Sequence, residues 1–425
     1  MISVYFLLIF LTLLVGIIVC LLDDPKKHVF YFFFVFVQLF YLLYAPILDL
    51  FDKNYFAFNI FIGYDAYEKG IGILSAHIFF YNVGYFVFSS WKKKQVILSS
   101  EDQEKRIKRF RIIFYILFIA VLINAFSGKI NLVEVLTGKS NQSTLGLEGK
   151  TFWVANFADS LIILLIASFY FQEKKKHKLV YFILTIPLFL LLGFRYRILL
   201  TIFGILFYSI HRSTLNAMSI VKYIFVTVCL FFLFMFISEN RIAFYTQKIE
   251  ELNFDITKYN YSSIYENSVG SIVDFAVYRA LENNVVKHDF GESMFRYPFI
   301  MIIPASFFEN GVKPYPAPQI NAIDMSMNVT RVYGQAVTFN GMCYFAFGLP
   351  GVIIFSFLLG MIIKKVELTG FPDSLFIIKT IWVLAIFQLY TRGYLGQFLL
   401  HLAYFFIPAY LLKKRKKKNG QWHSK

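Results

Sequence analysis

Two arginines, Arg195 and Arg197, interrupt an apolar stretch at Gly193-Phe-Arg-Tyr-Arg197. A guanidinium is a planar fork of donors that matches phosphate oxygens. An arginine inside a membrane is costly enough to be a functional candidate by default. Snorkelling to the headgroups is the plain alternative. It is awkward for both at once, because side chains two residues apart leave a helix in different directions. The anion that such a pair would meet at a membrane boundary is a lipid phosphate or lipid diphosphate.

Further candidates cluster between residues 239 and 340. Arg241, Arg279, Arg296 and Arg331 supply cations, and His288 is the only histidine there. Histidine is the usual general base near neutral pH; Asp274, Glu282, Glu309 and Asp324 compete for that role. Tyrosines such as Tyr278 and Tyr333 suit sugar rings and membrane interfaces alike. Asp49-x-x-Asp52 offers two carboxylates without a third ligand, so no metal is expected. There is no Walker loop, no H-E-x-x-H and no dinucleotide fingerprint, and the reading calls for no cofactor.

The elements that must position these residues are set by composition. The chain has 425 residues, 58% hydrophobic and only 16% charged, with 53 phenylalanines. Soluble domains carry about a quarter charged residues, so this chain needs a bilayer. Eleven spans are expected, at roughly 3–22, 29–48, 70–90, 110–127, 152–171, 179–195, 197–210, 219–238, 342–363, 374–391 and 394–412. The first lacks the basic flank and cleavage site of a signal peptide and is kept as a span. Cys20, Cys229 and Cys343 all lie in apolar runs and form no disulfide or metal spacing.

The connecting segments alternate in charge. About 26 of the 42 Lys and Arg, with 8 of the 26 acids, fall on one side; the other side holds the remainder and is close to neutral. Basic short loops stay cytoplasmic. The N-terminus is therefore expected outside and the C-terminus inside, and the net charge of +16 is a topology signal rather than a nucleic-acid footprint. The expected organisation is 1–238 for eight spans, 239–341 for a long external loop, 342–412 for three spans and 413–425 for a basic cytoplasmic tail.

Loops of about 100 residues usually carry function. Val269, Ile272, Val273, Ala276, Val277 and Ala280-Leu281 recur at helical spacing, with Asn267-Ser268 or Ser271 as candidate caps and Arg279 beside the apolar face. Tyr297 to Phe308 is apolar but too short to span, so a re-entrant or interfacial piece fits. Lys313-Pro-Tyr-Pro-Ala-Pro318 is stiff and extended. Gly348, Gly351 and Gly360 of the ninth span suit close helix packing.

Several of these features occur together in one family. They are Gly-x-Arg at a mid-chain boundary, one very long external loop before the last three spans, Pro304 followed by Lys313-Pro314, then Arg331-x-x-Gly334 and Phe347-Gly348-x-x-Gly351. Together, over roughly residues 180–400, they resemble the Wzy-type polymerases of O-antigen and capsular polysaccharide. The Arg-x10-Gly of some members has only near matches here, Arg279-x11-Gly291 and Arg331-x9-Gly341. The resemblance implies an all-α, GT-C-like membrane glycosyltransferase of the bacterial inner (plasma) membrane, working without metal or nucleotide sugar. It implies undecaprenyl-diphosphate-linked donor and acceptor, a chain-length regulator as partner, and no nucleic acid. Arg195, Arg197 and Arg241 would bind diphosphate, Arg279 and Arg331 would complete the clamp, His288 or a loop acid would be the base, and Tyr278 and Tyr333 would meet sugar. An O-antigen ligase, or a flippase of lipid-linked oligosaccharide, is the competing reading.

Overall fold

The computed structural model describes residues 1–52, 56–57, 60–61, 63–87, 103–127, 157–171, 173–191, 195–212, 236, 253–254, 270–303, 307–308, 337–369, 376–393 and 395–412. Apart from Phe236, the span expected at 219–238 lies outside them, as do Pro304, the Lys313–Pro318 stretch and Arg241, Glu309, Asp324, Arg331 and Tyr333.

Ten of the eleven expected spans have a helical counterpart. Helix α1 (Ile2–Asp23) is apolar throughout, and Asp24 then accepts from Lys26 N to cap a short 3-10 turn that opens with Pro25. α2 (Val29–Val37) continues through a π-helical turn, Gln38–Leu43, into α3 (Tyr44–Asp52). A minimal antiparallel pair, β1 (Phe56–Ala57) and β2 (Ile60–Phe61), precedes α4 (Tyr64–Val87). Then follow α5 (Gln103–Ser127), α6 (Phe157–Tyr170), α7 (Lys175–Leu191) and α8 (Arg195–Arg212). α9 (Gly270–Glu282) and the one-and-a-half-turn α10 (Tyr297–Ile302) come from the long segment. α11 (Phe339–Leu368), α12 (Phe376–Arg392) and α13 (Leu395–Leu412) complete the described chain. Among the described residues four helical stretches are long and apolar enough to cross a bilayer: Ile2–Asp23, Pro25–Phe51, Tyr64–Val87 and Phe339–Leu368.

The bundle is built around α4 and α11, its most extensive helix pair. Lipid tails supply no hydrophobic drive between helices, so close backbone approach must do the work. A Cβ on Gly84 would lie 2.0 Å from the Phe357 carbonyl oxygen, and one on Gly360 would lie 2.1 Å from that of Tyr81. The abundant phenylalanines fill the remaining gaps edge-on; Phe33 of α2 meets Phe203 and Phe207 of α8 in this way. The outer face of α1, from Val4 to Leu22, stays exposed and apolar, as a lipid-facing surface must.

Hydrogen bonds define two ends. At one end the Met1 ammonium lies 3.7 Å from Glu68, Ser271 Oγ donates to the Leu42 carbonyl, and Gly393 backs onto the carbonyls of Val337 and Thr338. This is the loop end, because α9 sits there. At the opposite end Glu367 meets the start of α2, and Arg111 of α5 grips Glu173 between α6 and α7 through two bonds of 2.9 and 2.7 Å. Burial alone would push the Glu173 carboxyl up, but the Arg111 fork and the Lys174 N–H outweigh it and hold it below the usual range.

α9 bears out the helical spacing from Ile272 to Leu281, Val269 lying outside the described residues, yet it is no surface element. It is buried from Gly270 to Ala280 apart from Arg279, wedged among α3, α4 and α11. Ser271 lies inside the helix and is not its cap. Asp274 explains the docking: it accepts 2.8 Å from Thr338 N and also from Thr338 Oγ1, so a side chain of α9 satisfies the first turn of α11. Only a glycine fits at 341, where a Cβ would stand 2.1 Å from the Asp274 carboxylate.

Candidate active site at the loop end

α7 ends at Leu191 and α8 begins at Arg195, so both arginines open α8. The Arg195 side chain lies outside the described residues. Arg197 does not snorkel. It is 2% exposed and its Nε donates 2.7 Å to Asp159 Oδ1. Asp159 stands in the first turn of α6 and is wholly buried. Tyr196 OH donates to the same oxygen at 3.0 Å, and His401 Nε2 of α13 lies 3.5 Å from Oδ2. The Tyr196 and His401 rings stack at 5.7 Å and 10°. Arg392, at the end of α12, is close enough to act electrostatically on Tyr196. Two helix starts, the second turn of α13 and one helix end thus bring these groups to one level of the bundle. A carboxylate that holds Arg197 by Nε fixes the plane of the guanidinium, which is what recognition of an oxyanion requires.

The sequence reading named Arg197 but missed Asp159 and His401. Each is a single ionisable residue in a largely apolar run, Phe157-Ala-Asp-Ser-Leu161 and Leu399-Leu-His-Leu-Ala403. The rule that flagged the arginines applies equally to them.

The loop candidates divide. Arg279 is half-buried on α9. Tyr278 is fully buried, with its hydroxyl accepting from Asn340 Nδ2 at 2.9 Å and its ring 4.4 Å from that of Tyr344, so it forms core rather than an open aromatic platform. Asp274 is committed to the start of α11. Burial raises its carboxyl to about 7 against the opposing pull of Thr338. Glu282 pairs with Lys69 at 2.5 Å. His288 is half-exposed, and its Nδ1 lies 3.0 Å from the Phe345 carbonyl of α11. Asp49 is buried on α3, the Asp52 side chain is outside the described residues, and no group of three metal-ligating side chains occurs among the described ones.

The family model for the O-antigen polysaccharide polymerase Wzy matches residues 1–291. The chain belongs to the Wzy polymerase family. The match takes in α1 to α9 together with Asp159, Arg195, Arg197, Arg279 and His288, and it begins well before the region whose motifs carried the resemblance. No curated protein and no solved structure matches the chain. Wzy membership makes this a multi-pass membrane protein of O-antigen polymerisation, a polymerising enzyme of the glycosyltransferase kind that acts on lipid-linked oligosaccharide.

Proposed function

We propose that this protein joins undecaprenyl-diphosphate-linked oligosaccharide repeat units at the outer face of the bacterial inner (plasma) membrane. The loop end faces outward, the N-terminus is outside and the C-terminus cytoplasmic, with eleven spans in a GT-C-like arrangement. No metal takes part. The acceptor sugar hydroxyl attacks the anomeric carbon of the donor, the bond from that carbon to the diphosphate oxygen breaks, and the lipid diphosphate leaves with the electron pair. The hydroxyl proton passes to a base, His288 or a loop acid. Fixed cations stabilise the charge that grows on the leaving group. The observation that carries this reading is Arg197, buried and aimed by Asp159, at the first turn of a helix on the loop side. Arg195, Arg241, Arg279 and Arg331 extend the clamp, Tyr278 supports it from within α9, and Tyr333 meets sugar. The polar groups inside the bundle serve each other instead of a transport path: His77 engages Ser356 and Tyr390, and, nearer the end away from the loop, Tyr31 engages Asn82.

Deleting the gene and resolving surface glycan by length tests the reading. Single-repeat glycan is expected, restored to long chains by the wild-type gene and not by Arg197→Lys, which keeps charge but loses the fork. Losing one such contact costs about 3 kcal/mol, roughly a hundredfold in rate. Unchanged chain length after deletion would refute the polymerase assignment. For the orientation, Ser262→Cys in a cysteine-free background should label from outside intact cells; labelling only after permeabilisation would reverse it.

A further inference from the structure

α11 is not one continuous helix. Gly348 has φ 66° and ψ −156°, a backbone region that essentially only glycine occupies, and Pro350 follows two residues later. In an unbroken helix the Phe345 carbonyl would accept from the N–H of residue 349, and that of Ala346 from residue 350. Proline has no N–H for the second. The Phe345 carbonyl is met by His288 Nδ1, at 3.0 Å.

The turn that carries His288 is built to reach this place. Asp289 accepts from Gly291 N at 3.0 Å and from Ser293 N at 2.8 Å. Gly291 has φ 88°, and a Cβ on it would stand 2.5 Å from the Phe347 ring. The imidazole lies edge-on to Tyr344, one turn before the break.

The break also marks a level. Residues 337–346 are all buried in the bundle, whereas Leu349 is 44% and Ile354 55% exposed. The helix runs on from the break to Lys364 and Lys365, about 24 Å away. His288 sits at the loop-side end of that stretch, where the diphosphate of a lipid-linked sugar would lie.

We propose that the Gly348 break is a positioning device, presenting the Phe345 carbonyl to His288 Nδ1–H so that Nε2 is held as the base for the acceptor hydroxyl. A carbonyl only accepts, so Nδ1 carries the proton and Nε2 the lone pair. The hydroxyl proton moves to Nε2 as the oxygen bonds to the anomeric carbon and the diphosphate departs; the imidazolium then returns its proton to water. The Phe345 carbonyl stabilises the imidazolium meanwhile. This inference rests on the polymerase reading and selects His288 over the two acids described, since Asp274 is committed to capping and Glu282 to Lys69.

Two substitutions separate strut from base. The amide nitrogen of His288→Asn can occupy the Nδ1 position and keep the bond to Phe345, but it has no basic atom. The amide of His288→Gln reaches the Nε2 position and abandons that bond. With lipid-linked repeat units in proteoliposomes, rates are taken per molecule of inserted protein. His288→Asn should insert at the wild-type level and lose at least a hundredfold in rate. His288→Gly should regain activity with added imidazole, and Gly348→Ala should lower the rate at least tenfold. A rate within threefold of wild type for His288→Asn would show a mere strut and overturn the base assignment. The same result for Gly348→Ala would overturn the positioning role. If both variants build long chains while Arg197→Lys does not, this inference fails and the polymerase reading stands. If the gene deletion leaves chain length unchanged, the polymerase reading itself fails.

Discussion

The two ends of the bundle both bury charge, and they satisfy it differently. At the end away from the loop, Glu367 accepts from Phe30 N at 2.7 Å, Tyr31 N at 2.9 Å and the Tyr85 hydroxyl. Two of those donors are the orphan N–H groups that open α2, so a carboxylate on α11 caps the next helix and sits against its positive dipole end. His28 then links Tyr85, at 2.6 Å, to Asp23, at 3.0 Å. At the loop end Asp159 meets side chains only in the bonds described: Tyr196, Arg197 and, at 3.5 Å, His401. Charge satisfied by backbone is locked into the fold. Charge held by side chains alone can be re-partnered with a visiting anion. Under the proposed mechanism, the comparison separates residues that keep the protein folded from those that meet substrate.

The largest effect should come from breaking the loop-end pair. Asp159→Ala leaves a buried arginine without its carboxylate, a loss on the order of 3–5 kcal/mol. It should lower both the amount of inserted protein and the rate per molecule. Asp159→Asn, which can still accept from Arg197, should restore the amount more than the rate; equal recovery of both would place Asp159 with Glu367 as a purely structural acid. Next come the close backbone contacts between α4 and α11. Gly360→Ala or Gly84→Ala drives a methyl group into a backbone carbonyl and should destabilise by about 1–3 kcal/mol, read as a lower melting temperature in detergent. Glu367→Gln should cost about 1–3 kcal/mol and leave the rate per molecule within twofold. A hundredfold fall there would erase the distinction between the ends.

The smallest effect expected is one of pH. Burial raises the Asp274 carboxyl from its ordinary value to about 7. Between about pH 4 and 7 the docked state therefore binds a proton that the undocked state does not, and docking weakens as pH rises through that window. Hydrogen-exchange protection over 270–282, taken relative to the intrinsic exchange rate at each pH, should be greater at pH 5 than at pH 7.5, and Asp274→Asn should flatten the difference.

Much of this was legible in the sequence. Apolar runs located ten helices, and the 3.6-residue period located α9, because both signals are local. Arg197 was legible because a cation in an apolar run is conspicuous. Its partner was not: Asp159 and Arg197 are 38 residues apart, His401 is 204 further on, and no spacing rule links three helices that meet only after packing. Asp274 read as a possible base because its carboxylate is visible in the sequence and its use at the start of α11 is not. Gly348 read as a packing glycine. Gly360 does that work against Tyr81, while Gly348 breaks the helix and Gly351 fits against Cys343 and Phe347 across the break. Pro350 was the available sign of that break.

A rod that is rigid through the bilayer and interrupted at its edge also acts as a depth gauge. About 24 Å of helix separates the break at Gly348 from Lys364 and Lys365, so the height of His288 above that charged end is set by helix length rather than by the loop. In a membrane several ångström thicker, the headgroups would rise above the imidazole while the lipid anchor held the sugar at headgroup level. Chain elongation would then slow although no residue of the protein had changed, and reconstitution into lipids of graded acyl length would make bilayer thickness a variable of catalysis.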